Sequence, residues 1–200
     1  SPRMMERGVE VEEHLPPVMV DGGGGFPVNR RMDDPGFRRG RARSILGACG
    51  GAHMLHDGLH DALYVLLPFW AQAFGLSLSQ VGILKAAYSG VMGAFQMPAG
   101  LLAERYGERI VLMVGTVIAG IAYLLLGTAG GFAGLLLLLA LAGVGGSTQH
   151  PLSATLVAKA YDAGRRRAAI GIYNFSGDLG KMTLPALMAV VAGAVGWRTG

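Results

Sequence analysis

The 200-residue chain is 52% hydrophobic and 15% charged, with a mean hydropathy of +0.43 and a formal net charge of +4. So apolar a composition excludes an ordinary soluble domain and reads as an all-α integral membrane protein. The single Cys49 excludes a disulfide framework and a cysteine-based zinc site.

Residues 1–44 carry Pro16–Pro17, a glycine run at 22–25 and six arginines between Arg30 and Arg43, with no hydrophobic period. They are expected to form a disordered, basic cytoplasmic tail. Residues 45–200 then break into five apolar blocks, at about 46–74, 78–102, 110–128, 132–159 and 167–196. Each exceeds the roughly 20 residues that cross a bilayer core, and none has the alternation of a lipid-facing strand. Helices are therefore the expected element, because lipid leaves no partner for an open backbone. Arginine and lysine occur in the tail and in the loops after the second and fourth blocks, and are missing from the loops after the first and third. That alternation places the N-terminus in the cytoplasm, and the chain is expected to be a multi-pass protein of a bacterial inner membrane.

The first block opens unusually for a membrane helix. "HMLHDGLHDALYVLLPFW", residues 53–70, begins with three histidines and two aspartates. At about 100° per residue, His53, His56, Asp57, His60, Asp61 and Tyr64 share an arc of about 140°, with leucines on the other side. An aspartate facing lipid at mid-bilayer costs about 2.5–3.5 kcal/mol, so the stripe is expected to face a watery cavity. Other blocks add Gln149, His150 and Pro151 on the fourth, and Asn174, Asp178 and Lys181 on the fifth. Lys85 on the second reads as snorkelling to the outer interface. Asp178 and Lys181 could simply cancel each other at i, i+3 spacing. The third block has no ionisable residue between Ile110 and Gly127 and is expected to face lipid. Gly90, Gly93, Gly143, Gly145, Gly146, Gly171, Gly177 and Gly180 are expected to let helices approach closely, and Pro68, Pro98, Pro151 and Pro185 to kink them.

"GLLAERYGER", residues 100–109, resembles the loop signature of the major facilitator superfamily, G-x3-[DE]-R-x-G-x-[RK]. Gly100, Glu104, Arg105, Gly107 and Arg109 match. The resemblance implies a helix bundle in which this loop is a conformational latch, and a twelve-helix parent of which this chain is an N-terminal fragment. About five helices of the N-terminal six-helix domain are then present, cut before or at the sixth. On the fifth block, Gly171, Gly180 and Pro185 resemble the superfamily's antiporter motif; Leu184, Met188 and Ala189 stand where that motif has glycines. Within the superfamily, His53–Asp57 and His150–Pro151 are most similar to the fosmidomycin-resistance type of efflux permease, whereas His56, His60, Asp61 and Lys181 depart from it.

The resulting expectation is a proton-coupled efflux transporter and not an enzyme. Its substrate and proton pathway would comprise His53, His56, Asp57, His60, Asp61, Tyr64, Gln149, His150, Asn174, Asp178 and Lys181. Partners are a small-molecule substrate, protons and the bilayer, with no nucleic acid and no cofactor, and the full-length protein is expected to be a monomer. An alternative is a permease for Ni²⁺, Co²⁺ or Zn²⁺ that uses His53, His56, Asp57 and His60 as ligands. A histidine-box membrane enzyme is a remote third reading, since it needs many more histidines.

Overall fold

The computed structural model describes residues 34–198. Six α-helices follow in order: α1 (Pro35–Phe74), α2 (Leu78–Tyr106), α3 (Glu108–Leu125), α4 (Phe132–Gly146), α5 (Gln149–Ala160) and α6 (Ala163–Val195). A single 3₁₀ turn, Leu126–Thr128, extends α3. Among the described residues there is no strand.

The helix ends follow from local chemistry. The carboxylate of Asp34 accepts the Gly36 amide at 2.9 Å and Pro35 opens α1, so the chain is helical from Pro35 onward. This corrects the expected boundary at residue 44: the last arginines of the tail, Arg38 to Arg43, lie on a helical extension of the first span. The rest of the expected tail, residues 1–33, lies outside the described residues. Gly75 closes α1 in the left-handed region at φ 61°. Ser77 and Gln80 then form a reciprocal capping box on α2, with amide contacts of 3.2 and 2.9 Å. Gly107, at φ 87°, ends α2 and leads directly into α3, a conformation that disfavours any residue with a Cβ.

The fourth apolar block is one span in two helices. α4 stops at Gly146 and α5 starts at Gln149, although residues Phe132–Ala160 remain long and apolar enough to cross a membrane as a unit. The cause is Pro151, which has no amide to offer the Ser147 carbonyl. Gly145 and Gly146 precede the break, and the Thr148 amide reaches back only to the Gly145 carbonyl, at 3.4 Å. Glu108–Thr128 and Ala163–Val195 meet the same standard of length and composition. α1 and α2 are longer still than α3, but more polar: α1 carries the stripe, α2 carries Gln80, Lys85 and Gln96.

α1 packs along α6 and against α5, while α4 lies between α2 and α3. One apolar cluster gathers Leu63, Leu66, Trp70, Leu84, Tyr88, Leu135 and Leu139. A second, toward the start of α1, holds Cys49, Val157, Ala169 and Tyr173. Residues 53–61 therefore lie between two dry layers. On α3 the small residues Gly115, Ala119 and Ala122 are buried, whereas Met113, Val114, Val117, Ile121 and Leu124 are exposed. A lipid-facing helix has that division. The glycines divide as well: Gly143, Gly145, Gly146, Gly177 and Gly180 are at close helix crossings, whereas Gly90, Gly93 and Gly171 have nothing within 4 Å of where a Cβ would be.

Candidate functional site

The stripe on α1 is graded. His53, His56 and Asp57 are buried, with Asp57 only 2% exposed; His60 and Asp61 are half-buried; Tyr64 is 45% exposed. Asp57 is the centre. Its Oδ2 lies 3.2 Å from His53 Nε2 and 3.0 Å from Lys181 Nζ on α6, and its Oδ1 lies 3.4 Å from His150 Nε2 on α5. Three helices thus deliver one carboxylate, two imidazoles and an ammonium group to a single point. α6 can come this close because residue 177 is glycine. A Cβ there would stand 2.6 Å from His53 Cε1 and 2.8 Å from Asp57 Oδ2.

The ring of His53 is held from its far side. Nδ1 lies 2.9 Å from the Tyr173 carbonyl oxygen, which can only accept, so Nδ1 carries a proton and donates it. The Tyr173 ring stacks on the imidazole at 4.2 Å. A neutral His53 would then turn a lone pair on Nε2 toward the Asp57 carboxylate, 3.2 Å away. Both atoms are buried, and neither makes an aligned hydrogen bond. The Lys181 ammonium group, 3.0 Å from the same carboxylate oxygen, compensates its charge, so a buried carboxylate sits between an imidazole and an ammonium group.

Lys181 takes part in two contacts: besides Asp57, its Nζ reaches Asp178 Oδ1 at 3.4 Å. The i, i+3 pair is present, and so is the inter-helix pair. His150 meets His53 and His56 edge-on, with ring centroids 5.1 and 5.2 Å apart. His56 itself turns toward Gly146 and the Tyr88 hydroxyl, and its buried Nε2 has no hydrogen-bond partner among the described residues. His60 contacts Asp61 at 3.2 Å and stacks on Tyr88 at 5.1 Å. Lys85 does not reach away from the stripe; its Nζ sits 4.2 Å above the Tyr64 ring.

Two expected pathway residues stand apart. Gln149 is buried, but its amide donates to Ser153 within α5 at 3.1 Å. Asn174 is exposed on α6, away from Asp57. Sequence reasoning missed Tyr173 and Tyr88. Tyr173 lies one turn before Gly177 and two before Lys181 on the same helix face, so periodicity could have found it. Tyr88 donates to or accepts from the Tyr123 hydroxyl at 3.0 Å, a pairing that no local pattern reveals.

The ligand set of the metal alternative is not gathered as expected. Donor atoms of His53, Asp57 and His150 lie within 4.8 Å of one another, whereas His56 and His60 stand outside that group. The Lys181 ammonium already lies beside the carboxylate of the set.

At the other end of α2, Gly107 makes the turn between α2 and α3 and Ala103 is buried, whereas Gly100 is half-buried with nothing within 4 Å of where a Cβ would be. Glu104, Arg105 and Arg109 make no ion pair within 4.0 Å among the described residues; Arg105 lies over the Tyr106 ring at 5.5 Å. The ion pair at this turn joins Glu108, at the start of α3, to Lys159 at the end of α5. On α6, Gly180 meets the Met54 backbone, Gly171 is open, and Pro185 lies within the helix.

A family model for the Major Facilitator Superfamily matches residues 45–200. The chain belongs to that superfamily. Its fold is accordingly the multi-pass α-helical bundle of a membrane transporter family, and the histidine-box enzyme is set aside. Among curated superfamily relatives, the chain is similar to the fosmidomycin resistance protein of Escherichia coli (strain K12), at 30% identity over 76% of this chain and 37% of the relative. It is similar to a probable sulfoacetate transporter of Cupriavidus necator, at 30% identity over 67% of this chain and 31% of the relative. It is also 30% identical to a multidrug resistance protein of Mycobacterium tuberculosis, over 70% of this chain and 26% of the relative. The chain thus matches between 26% and 37% of the length of these superfamily members.

Proposed function

We propose that this chain is the N-terminal part of a proton-coupled secondary transporter that exports a small molecule across a bacterial inner membrane, with its N-terminus in the cytoplasm. The observation that carries the reading is the His53–Asp57 contact. The Tyr173 carbonyl holds His53 through Nδ1, so the Nε2 edge, where a proton can be gained or lost, faces the buried Asp57 carboxylate. A buried imidazole–carboxylate pair, flanked by an ammonium group with a second carboxylate in reach, has the parts of a proton-driven switch. Protonation of Asp57 weakens its hold on Lys181, and Asp178 receives the freed ammonium group. His150, across the break between α4 and α5, senses the same charge.

Export rather than uptake is supported by two relatives named for resistance, to fosmidomycin and to multiple drugs. The relative named as a probable sulfoacetate transporter supports a small-molecule substrate without fixing its class. Orientation is supported by the alternation of basic loops. The active form of the complete protein is a monomer in this reading, with the site closed by its other half.

The test is export by everted membrane vesicles holding the complete protein, energised by a proton gradient. Asp57→Asn should insert and fold as wild type does, yet lose at least ten-fold of gradient-driven export. Undiminished, still pH-dependent export by that variant sinks the proposal.

A second reading, a divalent-metal permease, has one observation in its favour: the approach of His53, Asp57 and His150 within 4.8 Å. Protection of growth against nickel, cobalt or zinc salts, lost in His150→Gln, would decide for it.

A further inference from the structure

We propose that the groove where the helical extension of α1 meets the end of α5 binds the phosphodiester headgroup of an anionic phospholipid. The inference does not rest on the transport reading. α1 continues ten residues before Ile45, and Arg38 and Arg41 stand about 10 and 6 Å beyond that residue along the helix. The interfacial layer of a bilayer is about 5–8 Å deep on each side, so with the apolar part of α1 in the hydrocarbon Arg41 lies at headgroup level, and Arg38, just beyond it, reaches back with its long side chain.

The groove there has a volume of about 360 Å³. Arg38, Arg41, Arg109 and Lys159 form its rim, and Ile45 and Leu156 belong to its apolar floor. Lys159 is neutralised by Glu108. Arg38, Arg41 and Arg109 have no carboxylate within ion-pair distance among the described residues, and no carboxylate lines the groove. Three uncompensated guanidinium groups over an apolar floor match an amphiphile with a phosphate head and a glycerol-acyl body. A cationic rim alone would serve any polyanion; the apolar floor and the level at the bilayer surface single out a lipid over a nucleic acid.

The experiment is native mass spectrometry of the purified protein in detergent at physiological salt, offered dioleoyl phosphatidylglycerol, dioleoyl phosphatidylcholine, inorganic phosphate or a short DNA duplex. Wild type should retain phosphatidylglycerol at least ten-fold better than phosphatidylcholine. Arg38→Gln/Arg41→Gln should reduce that preference to within about two-fold, while Arg165→Gln, in the neighbouring groove beside Asp162, should leave it unchanged. If the double variant does not fold, Arg41→Gln alone should show a reduced preference. Equal retention of the two lipids, an unchanged preference in the arginine variants, an equal loss in Arg165→Gln, competition by inorganic phosphate at equal concentration, or binding of the duplex in place of lipid would each overturn the proposal.

Discussion

Lys181 places its ammonium nitrogen 3.0 Å from Asp57, across the seam between α6 and α1, while the two groups differ sharply in exposure: 43% for the lysine side chain and 3% for the aspartate. The aspartate therefore depends on the lysine far more than the reverse. A buried carboxylate has no water to fall back on, whereas a half-exposed ammonium group does.

That asymmetry predicts non-additive stability. Lys181→Met should destabilise the protein in detergent, and the loss should shrink when Asp57→Asn is already present, because the charge that needed compensation is gone. A double-mutant cycle by thermal denaturation should return a coupling of about 1–3 kcal/mol. Additive effects would mean that the two side chains do not interact.

The seam itself makes a steric prediction. Gly177→Ala places a methyl group against His53 and Asp57, and should cost about 1–3 kcal/mol and disturb proton coupling. Gly171→Ala, two turns earlier on α6, meets open space and should be neutral or stabilising by up to about 1 kcal/mol through helix propensity. Melting temperatures of the two variants, measured side by side, check the contrast.

The ion pair between Glu108 and Lys159 ties the start of α3 to the end of α5, beside the turn that sequence singled out as a latch. Exposed pairs add little to stability, so its effect should appear in the balance between transporter conformations. Glu108→Lys should shift that balance, as read by accessibility of an engineered cysteine to a maleimide, and Glu108→Lys/Lys159→Glu should restore it. A swap that fails to restore labelling removes this pair from the latch.

Part of this arrangement was legible in the sequence. The stripe on α1 follows from residue spacing; it was expected to face a watery cavity, whereas His53, His56 and Asp57 are buried and Asp57 meets His150 and Lys181. The site's other half was not legible, because it is tertiary. Asp178 and Lys181 looked self-cancelling at i, i+3, and only the packing of α6 on α1 brings Lys181 to Asp57. His56 shares the helix face of His53 by angle, yet a three-residue step turns it toward α4 and away from Asp57. The break at Ser147 was signalled by Pro151 and the glycines before it, but hydropathy runs smoothly through it. The early start of α1 was written in Asp34–Pro35 and hidden by the polar composition around it.

A last prediction separates a resident ammonium group from a metal ion. Tetrahedral ligands about 2.0–2.1 Å from zinc stand about 3.4 Å apart, whereas the donor atoms of His53, Asp57 and His150 spread up to 4.8 Å with Lys181 beside them. Metal binding therefore requires the three groups to contract and the lysine to leave. Wild type should bind Zn²⁺ or Ni²⁺ weakly by calorimetry, Lys181→Met should tighten binding at least ten-fold by freeing the carboxylate, and adding His150→Gln should abolish the gain. Tight binding by wild type, unaffected by Lys181→Met, would show that the ammonium group does not hold the cation position, and would favour the metal permease over the proton-driven exporter.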